Sequence, residues 1–250
     1  MKAVITGASS GIGKSFALYL SSLGYDIYAV ARSESALKEL GSEVATAYTP
    51  IALDLSINEN CYQLYEILKN EKIDIFINNA GFGVYGSFDS ISLERELDMI
   101  NLNVSAVHIL TKLFASKFLP DGSGLIINVA STAGFMMGPL LSSYYATKAY
   151  VLRLSEAVDE EVRCKNPNVR VCVLCPGPVC TGFDKSAGVS SSMKGHTPDF
   201  VAKYAITKAL RGKRIIIPGL SNKLLVMFSR FLPSTLLSRI NYMIQSTKGR

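Results

Sequence analysis

The stretch Ser142–Val151, SSYYATKAYV, sets two tyrosines beside one lysine. On a helix, residues three or four apart share a face, so Tyr144 and Tyr145 both come near Lys148, Tyr144 at the i,i+4 spacing. A phenol ordinarily releases its proton near pH 10 or so, about 10 in model compounds, and a nearby ammonium favours the phenolate. The pair is a candidate proton donor and acceptor, and spacing alone leaves open which tyrosine belongs to it. A second candidate is TGASSGIG, Thr6–Gly13. Glycines between a strand and a helix let a pyrophosphate approach the helix N-terminus, where free N–H groups favour anions. The spacing is Gly-xxx-Gly-x-Gly rather than the usual dinucleotide fingerprint. A third is Arg32, at the end of the second apolar run where an acidic residue would otherwise meet the ribose of NAD. A guanidinium there suits a 2′-phosphate, so the expected cofactor is NADP (NADPH).

Groups of this kind need strand ends and helix starts to carry them. Strand-like runs KAVIT, DIYAVAR, VATAYTPIALD, IDIFINNAG, GLIINVAS, VRVCVLCPG and KRIIIPG alternate with helical patterns near 12–23, 34–40, 59–70, 92–118, 144–165 and 198–211. This alternation predicts an α/β fold, a Rossmann-like doubly wound parallel sheet with helices on both faces. One domain is expected, with its dinucleotide-binding body over 1–215 and a basic, apolar helical extension over 216–250 packed on it. The Gly- and Ser-rich loop 182–196 follows a strand end and reads either as a flap over a site or as plain surface.

The chain of 250 residues is 48% hydrophobic and 18% charged, which suits a large core and excludes disorder. The net charge of +6 is uneven: residues 201–250 hold ten Lys/Arg and no Asp/Glu, whereas the first 200 hold 16 and 20. No nucleic-acid-binding motif accompanies the basic segment. It reads as soluble surface or as a peripheral membrane contact, a cover for a substrate entrance or a subunit contact. Five cysteines without a recognisable leader suggest reduced thiols and a cytoplasmic setting. The pair in CVLC, Cys172 and Cys175, falls on opposite faces of a strand, and two histidines give no metal pattern; no metal is expected.

Taken as an ordered set, TGASSGIG, NNAG (Asn78–Gly81), NVAS with Ser131, Tyr144-xxx-Lys148 and PGPVCT (Pro176–Thr181) resemble the classical short-chain dehydrogenase/reductase family over residues 1–215. The resemblance implies a serine 13 positions before the tyrosine and a lysine four after it, which selects Tyr144 with Ser131. It implies a carbonyl–alcohol interconversion with Tyr144 as general acid/base, Ser131 and Tyr144 touching the substrate, and Lys148 holding the nicotinamide ribose. A fourth catalytic residue, an asparagine followed three places on by a small residue, is matched by Asn103 rather than Asn101. By position, Gly7, Ser9, Ser10, Gly11, Ile12, Gly13, Arg32, Asp54, Leu55, Asn79, Ala80, Gly81, Tyr144, Lys148, Pro176, Gly177, Val179 and Thr181 are the implied cofactor contacts. Phe82, Phe135, Met136, Met137, Pro139 and Leu140 suggest an apolar pocket for a lipid-like ketone or aldehyde. Family members are often dimers or tetramers, so a homo-oligomer is implied. A non-catalytic NADP-sensing binding or regulatory protein on the same fold, or a peripheral membrane-anchored module, is the alternative.

Overall fold

A computed structural model describes residues 1–183, 187–188 and 195–247. Seven strands, β1 (Lys2–Thr6), β2 (Asp26–Ala31), β3 (Tyr48–Ala52), β4 (Ile75–Asn78), β5 (Gly124–Val129), β6 (Val169–Leu174) and β7 (Ile215–Ile216), form one parallel sheet. Their order is β3-β2-β1-β4-β5-β6-β7. The chain winds outward from β1 in one direction, then returns to β4 and winds in the other. The crevice beyond the carboxyl ends of β1 and β4 is therefore the switch point where such sheets bind ligands.

The strands are apolar at nearly every position because both faces are covered. Alternate residues feed two layers: Ala3, Ile5, Ile75 and Ile77 join one core cluster, while Val4, Phe76 and Ile126 join another. On the first face lie α1 (Gly11–Ser22), α2 (Glu34–Gly41) and α7 (Pro198–Leu210), burying Phe16, Leu20, Leu37, Val201 and Ile206. On the second lie α3 (Asn58–Leu68), α5 (Val107–Asp121) and α6 (Ser142–Lys165). There Phe114 of α5 stacks on Phe76, with centroids 3.8 Å apart. Asn78, Asn128, Thr111 and Ser155 form a buried hydrogen-bonded chain that ties β4 and β5 to α5 and α6.

The helix expected over 92–118 is divided. It runs as α4 (Leu93–Ile100), a π-helical segment Asn101–Ala106, and α5. One wider turn rotates everything after it relative to a plain α-helix, and Asn103 lies inside that turn. The third strand is also shorter than the run VATAYTPIALD suggests: β3 is a sheet edge, and its one neighbour, β2, pairs with it only from Ile27 opposite Tyr48 to Ala31 opposite Ala52. Most of the loop 182–196 falls on residues 184–186 and 189–194, outside the described residues.

After β7 come α8 (Leu220–Ser229) and α9 (Ser234–Ser246). They cover the loops before α6: Asn241 Nδ2 donates to Met137 O (2.6 Å), and Arg230 lies over the Phe135 ring at 5.6 Å. No helix among the described residues is long and apolar enough to cross a membrane.

Candidate active site

One cleft of about 540 Å³ runs along the carboxyl ends of the strands from Arg32 to Gln245. Its floor is the Gly-rich turn. Gly7 and Gly11 have φ of +64° and +53°, values that favour glycine. A Cβ on Gly13 would lie 2.0 Å from Gly7 O, so the turn closes tightly under the start of α1. Ser10 caps α1 without a side-chain hydrogen bond, which leaves first-turn N–H groups facing the cleft. A glycine cradle opening onto an uncapped helix start fits the pyrophosphate of a dinucleotide.

Thr6 locks this turn to the next one. Its Oγ1 accepts from Asn79 N (2.9 Å) and Ala80 N (3.0 Å), while Asn79 Nδ2 donates to Thr6 O (3.0 Å) and Gly7 O (3.2 Å). Thr6 was not among the residues singled out from the sequence; its position as the last residue of β1, just before the glycines, was the available signal. At the far adenosine end, Arg32 is exposed, with Nη1 3.8 Å from Asp54 Oδ2. Asp54 Oδ1 accepts from Ser56 N and Oγ, so this carboxylate shapes the turn into α3.

At the other end, Ser131, Tyr144 and Lys148 share the cleft wall. Ser131 follows β5; its Oγ donates to Pro176 O (3.3 Å) and accepts from Ala133 N (3.1 Å). Tyr144 and Lys148 stand one turn apart on α6, with the ammonium 5.8 Å from the Tyr144 ring centroid. Lys148 is buried, and its Nζ donates to Val129 O (2.9 Å). Two of its three N–H donors thus remain for groups in the cleft. Burial pushes the Lys148 ammonium down to about 8, so it is still mostly cationic at neutral pH.

That depression has a stability consequence. Lys148 is charged in both folded and unfolded chains below pH 8, where its full burial penalty applies. Between about pH 8 and its ordinary value of 10.5 the unfolded chain binds more protons, so this group makes folding more favourable as pH rises. The ligand-free chain should therefore gain about 3 kcal/mol relative to Lys148→Met across that window. Paired urea titrations of both proteins at several pH values check this; parallel pH curves would refute it.

Tyr145 is placed differently. Its hydroxyl accepts from Gln245 Nε2 (2.9 Å), and burial raises its phenol above the ordinary value. A phenol held protonated against α9 is a wall, not a proton exchanger. Asn103 is fully buried and does not line the cleft. Its Oδ1 accepts from Phe82 N (3.1 Å), and its Nδ2 donates to Phe82 O (2.8 Å) and Thr147 Oγ1 (3.2 Å). It fixes the Gly81–Phe82 turn from behind; a Cβ on Gly81 would meet Asn103 Oδ1 at 2.8 Å. Gly13 likewise lies beneath the surface, and the remaining sequence-predicted cofactor residues line the cleft.

The expected apolar pocket needs correction. Of its six residues only Phe82 lines the cleft; Phe135 turns under Arg230, Met137 is exposed, and Leu140 takes φ +67° in the turn before α6. The apolar wall is instead Phe82, Leu102, Leu141 and Phe183, with Phe183 5.3 Å from the Tyr144 ring. Gln245 closes this end, 100 residues after the tyrosine it binds, and nothing local in the sequence signals it. Cys172 and Cys175 fall in separate core clusters as free thiols, and burial pushes the Cys172 thiol up to about 12. Among the described residues no cluster of His, Cys, Asp or Glu is grouped to hold a metal.

A family profile described as short chain dehydrogenase matches residues 1–190. The ketoacyl reductase HetN of Nostoc sp. is 33% identical over 219 residues, 84% of this chain and 75% of that protein. A very-long-chain 3-oxoacyl-CoA reductase of Phaeosphaeria nodorum is 32% identical over 181 residues, 68% of this chain; the match spans about half, 53%, of that relative's length. Among solved structures, a short-chain dehydrogenase from Sphingobium yanoikuyae in complex with NADPH superposes with a TM-score of 0.82 at 30% identity, covering 88% of each chain.

Proposed function

The chain belongs to the short chain dehydrogenase family, and from that premise we propose that it is an NADP-dependent reductase of a hydrophobic, lipid-like carbonyl. The observation that carries this reading is the convergence of Ser131, Tyr144 and Lys148 on one cleft whose opposite end is the glycine cradle. The nicotinamide cofactor, when bound, supplies or accepts hydride at the substrate carbon.

The chain's own residues handle the oxygen. Ser131 Oγ, freed from Pro176 O, donates to the carbonyl oxygen and stabilises the charge that develops there. The Tyr144 hydroxyl gives its proton to that oxygen in reduction and takes it back in oxidation. Lys148, anchored on Val129 O, favours the resulting phenolate and holds ribose hydroxyls with its remaining donors. Asn103 keeps Phe82 and the turn after Asn79 in place. Arg32 meets the 2′-phosphate at the adenosine end. The apolar wall of Phe82, Leu102, Leu141 and Phe183 supports an apolar substrate, as does similarity to proteins named for ketoacyl and 3-oxoacyl-CoA reduction.

The test is NADPH oxidation with 3-oxoacyl thioesters of graded length beside short soluble ketones. kcat/KM should climb with acyl length; a flat profile would sink the lipid-like assignment. In the same assay Arg32→Ala should raise KM for NADPH about 10- to 100-fold, the worth of one charge-assisted contact, and leave NADH nearly unchanged. A wild-type protein that prefers NADH would end the Arg32 argument.

A further inference from the structure

The last two helices are amphipathic in the wrong sense for a water-facing surface. Helices of a water-soluble domain turn their apolar stripe inward. In α8 the residues set against the domain are Asn222, Val226 and Ser229. The opposite face, at i, i+4, i+7 and i+11, is Leu220, Leu224, Met227 and Phe231, the last just past the helix and 80% exposed. In α9 the inward stripe is Leu237, Asn241 and Gln245, two of them held by hydrogen bonds to Met137 O and Tyr145 Oη. The outward face carries Leu236, Arg239 and Met243, flanked by exposed Tyr242 and Ile244. Each helix docks through one apolar residue, Val226 or Leu237, with polar residues on either side of it, and most of its large apolar residues are left outside.

The charge on this surface is of one sign. Residues 201–250 contain ten Lys/Arg and no Asp/Glu. Lys223, Arg230 and Arg239 have no carboxylate partner among the described residues; Lys223 and Arg230 lie instead against the rings of Tyr204 and Phe135. A second copy of this chain laid on the face would bring the same uncompensated cations. An anionic bilayer offers what the face lacks: hydrocarbon for Leu224, Met227, Phe231 and Met243, and headgroup charge for the cations between them.

We propose that α8 and α9 form an interfacial docking surface for anionic phospholipid, lying in the bilayer surface without crossing it. Both helices pack on the wall before α6, and α9 reaches the cleft through Gln245. Docking would therefore bring the substrate end of the cleft close to the lipid. The link to a lipid-like substrate rests on the function proposed above; the docking itself does not.

Vesicle flotation of the full chain tests it without any turnover. Phosphatidylcholine vesicles are compared with vesicles that also contain phosphatidylglycerol, at low and high salt. Binding should appear with the anionic vesicles, weaken with salt, and fall about tenfold or more in Met227→Glu/Phe231→Glu. Neither residue lines the cleft, so reduction of a short soluble ketone by that variant should stay at the wild-type level, which shows that it has folded. Absence of flotation with anionic vesicles overturns the proposal, as does flotation indifferent to lipid charge. Concentration-dependent dimerisation that the double variant abolishes, without vesicle binding, overturns it in favour of a second copy. Vesicle binding with no chain-length preference in turnover leaves docking standing and removes the substrate reading alone.

Discussion

Tyr144→Phe should lower kcat by about 10²- to 10⁴-fold, the usual contribution of a positioned general acid, while Tyr145→Phe should stay within about fivefold of wild type. The two substitutions remove the same atom from adjacent residues, so the contrast reads geometry rather than chemistry. The Tyr144 ring has the buried Lys148 ammonium 5.8 Å from its centroid and lies on the cleft wall with Ser131. Tyr145 also lines the cleft, but its hydroxyl accepts from Gln245 and burial disfavours its ionisation. Loss of one neutral hydrogen bond is worth about 1 kcal/mol, enough to loosen α9 and small beside a lost proton transfer. NADPH affinity, read by fluorescence titration, should change by no more than about fivefold in either variant. If Tyr145→Phe abolished turnover and Tyr144→Phe did not, the assignment of the acid would be reversed.

Gly13→Ala should be the most damaging small substitution in the chain. A Cβ there would lie 2.0 Å from Gly7 O and 2.6 Å from Asn79 Nδ2, and both are held by the same interlocked turn. Neither can retreat without moving the glycine cradle or breaking the Thr6–Asn79 contacts. Overpacking of a rigid site costs about 1–3 kcal/mol and more where backbone must shift, so a loss of about 3 kcal/mol or beyond is expected. For a domain of this size that lowers Tm by roughly 6–12 °C. Gly24→Ala is the matched control: its φ is +84°, but a Cβ would meet nothing within 4 Å. It carries only the left-handed backbone penalty, about 1–2 kcal/mol, and should leave NADPH binding untouched. Equal losses in the two variants, or Gly13→Ala with full NADPH affinity, would show that the cradle is looser than its contacts indicate.

What could be read from the sequence was what local spacing controls. Strand and helix alternation sets the sheet, and the glycines of residues 7–13 sit where β1 meets α1. The tyrosine–lysine spacing on α6 needs only one helical turn to be realised. The π-helical turn around Asn103 was not legible, because one extra residue in a turn leaves the apolar pattern on either side intact. The pocket wall was misplaced for a similar reason. Residues 135–140 are near the site in sequence, but the turn through Leu140 points them elsewhere, while Leu102 and Phe183 arrive from distant segments. Gln245 depends on the packing of the final helix. The apolar run of residues 224–244 was visible, yet sequence alone could not show that Ser229 and Asn241 face inward while Met227, Phe231 and Met243 stay outside.

The two ends of the cleft also belong to different times in the making of the chain. Every sequence-predicted cofactor contact precedes residue 182, whereas the Gln245 wall belongs to α9, which begins 53 residues after Thr181. At ordinary translation speeds of about 5–20 residues per second, that interval is roughly 3–10 s. A dinucleotide that binds once α7 and β7 have docked within this interval stabilises the sheet by mass action. The nascent protein would then hold its coenzyme before it has a closed place to put a substrate.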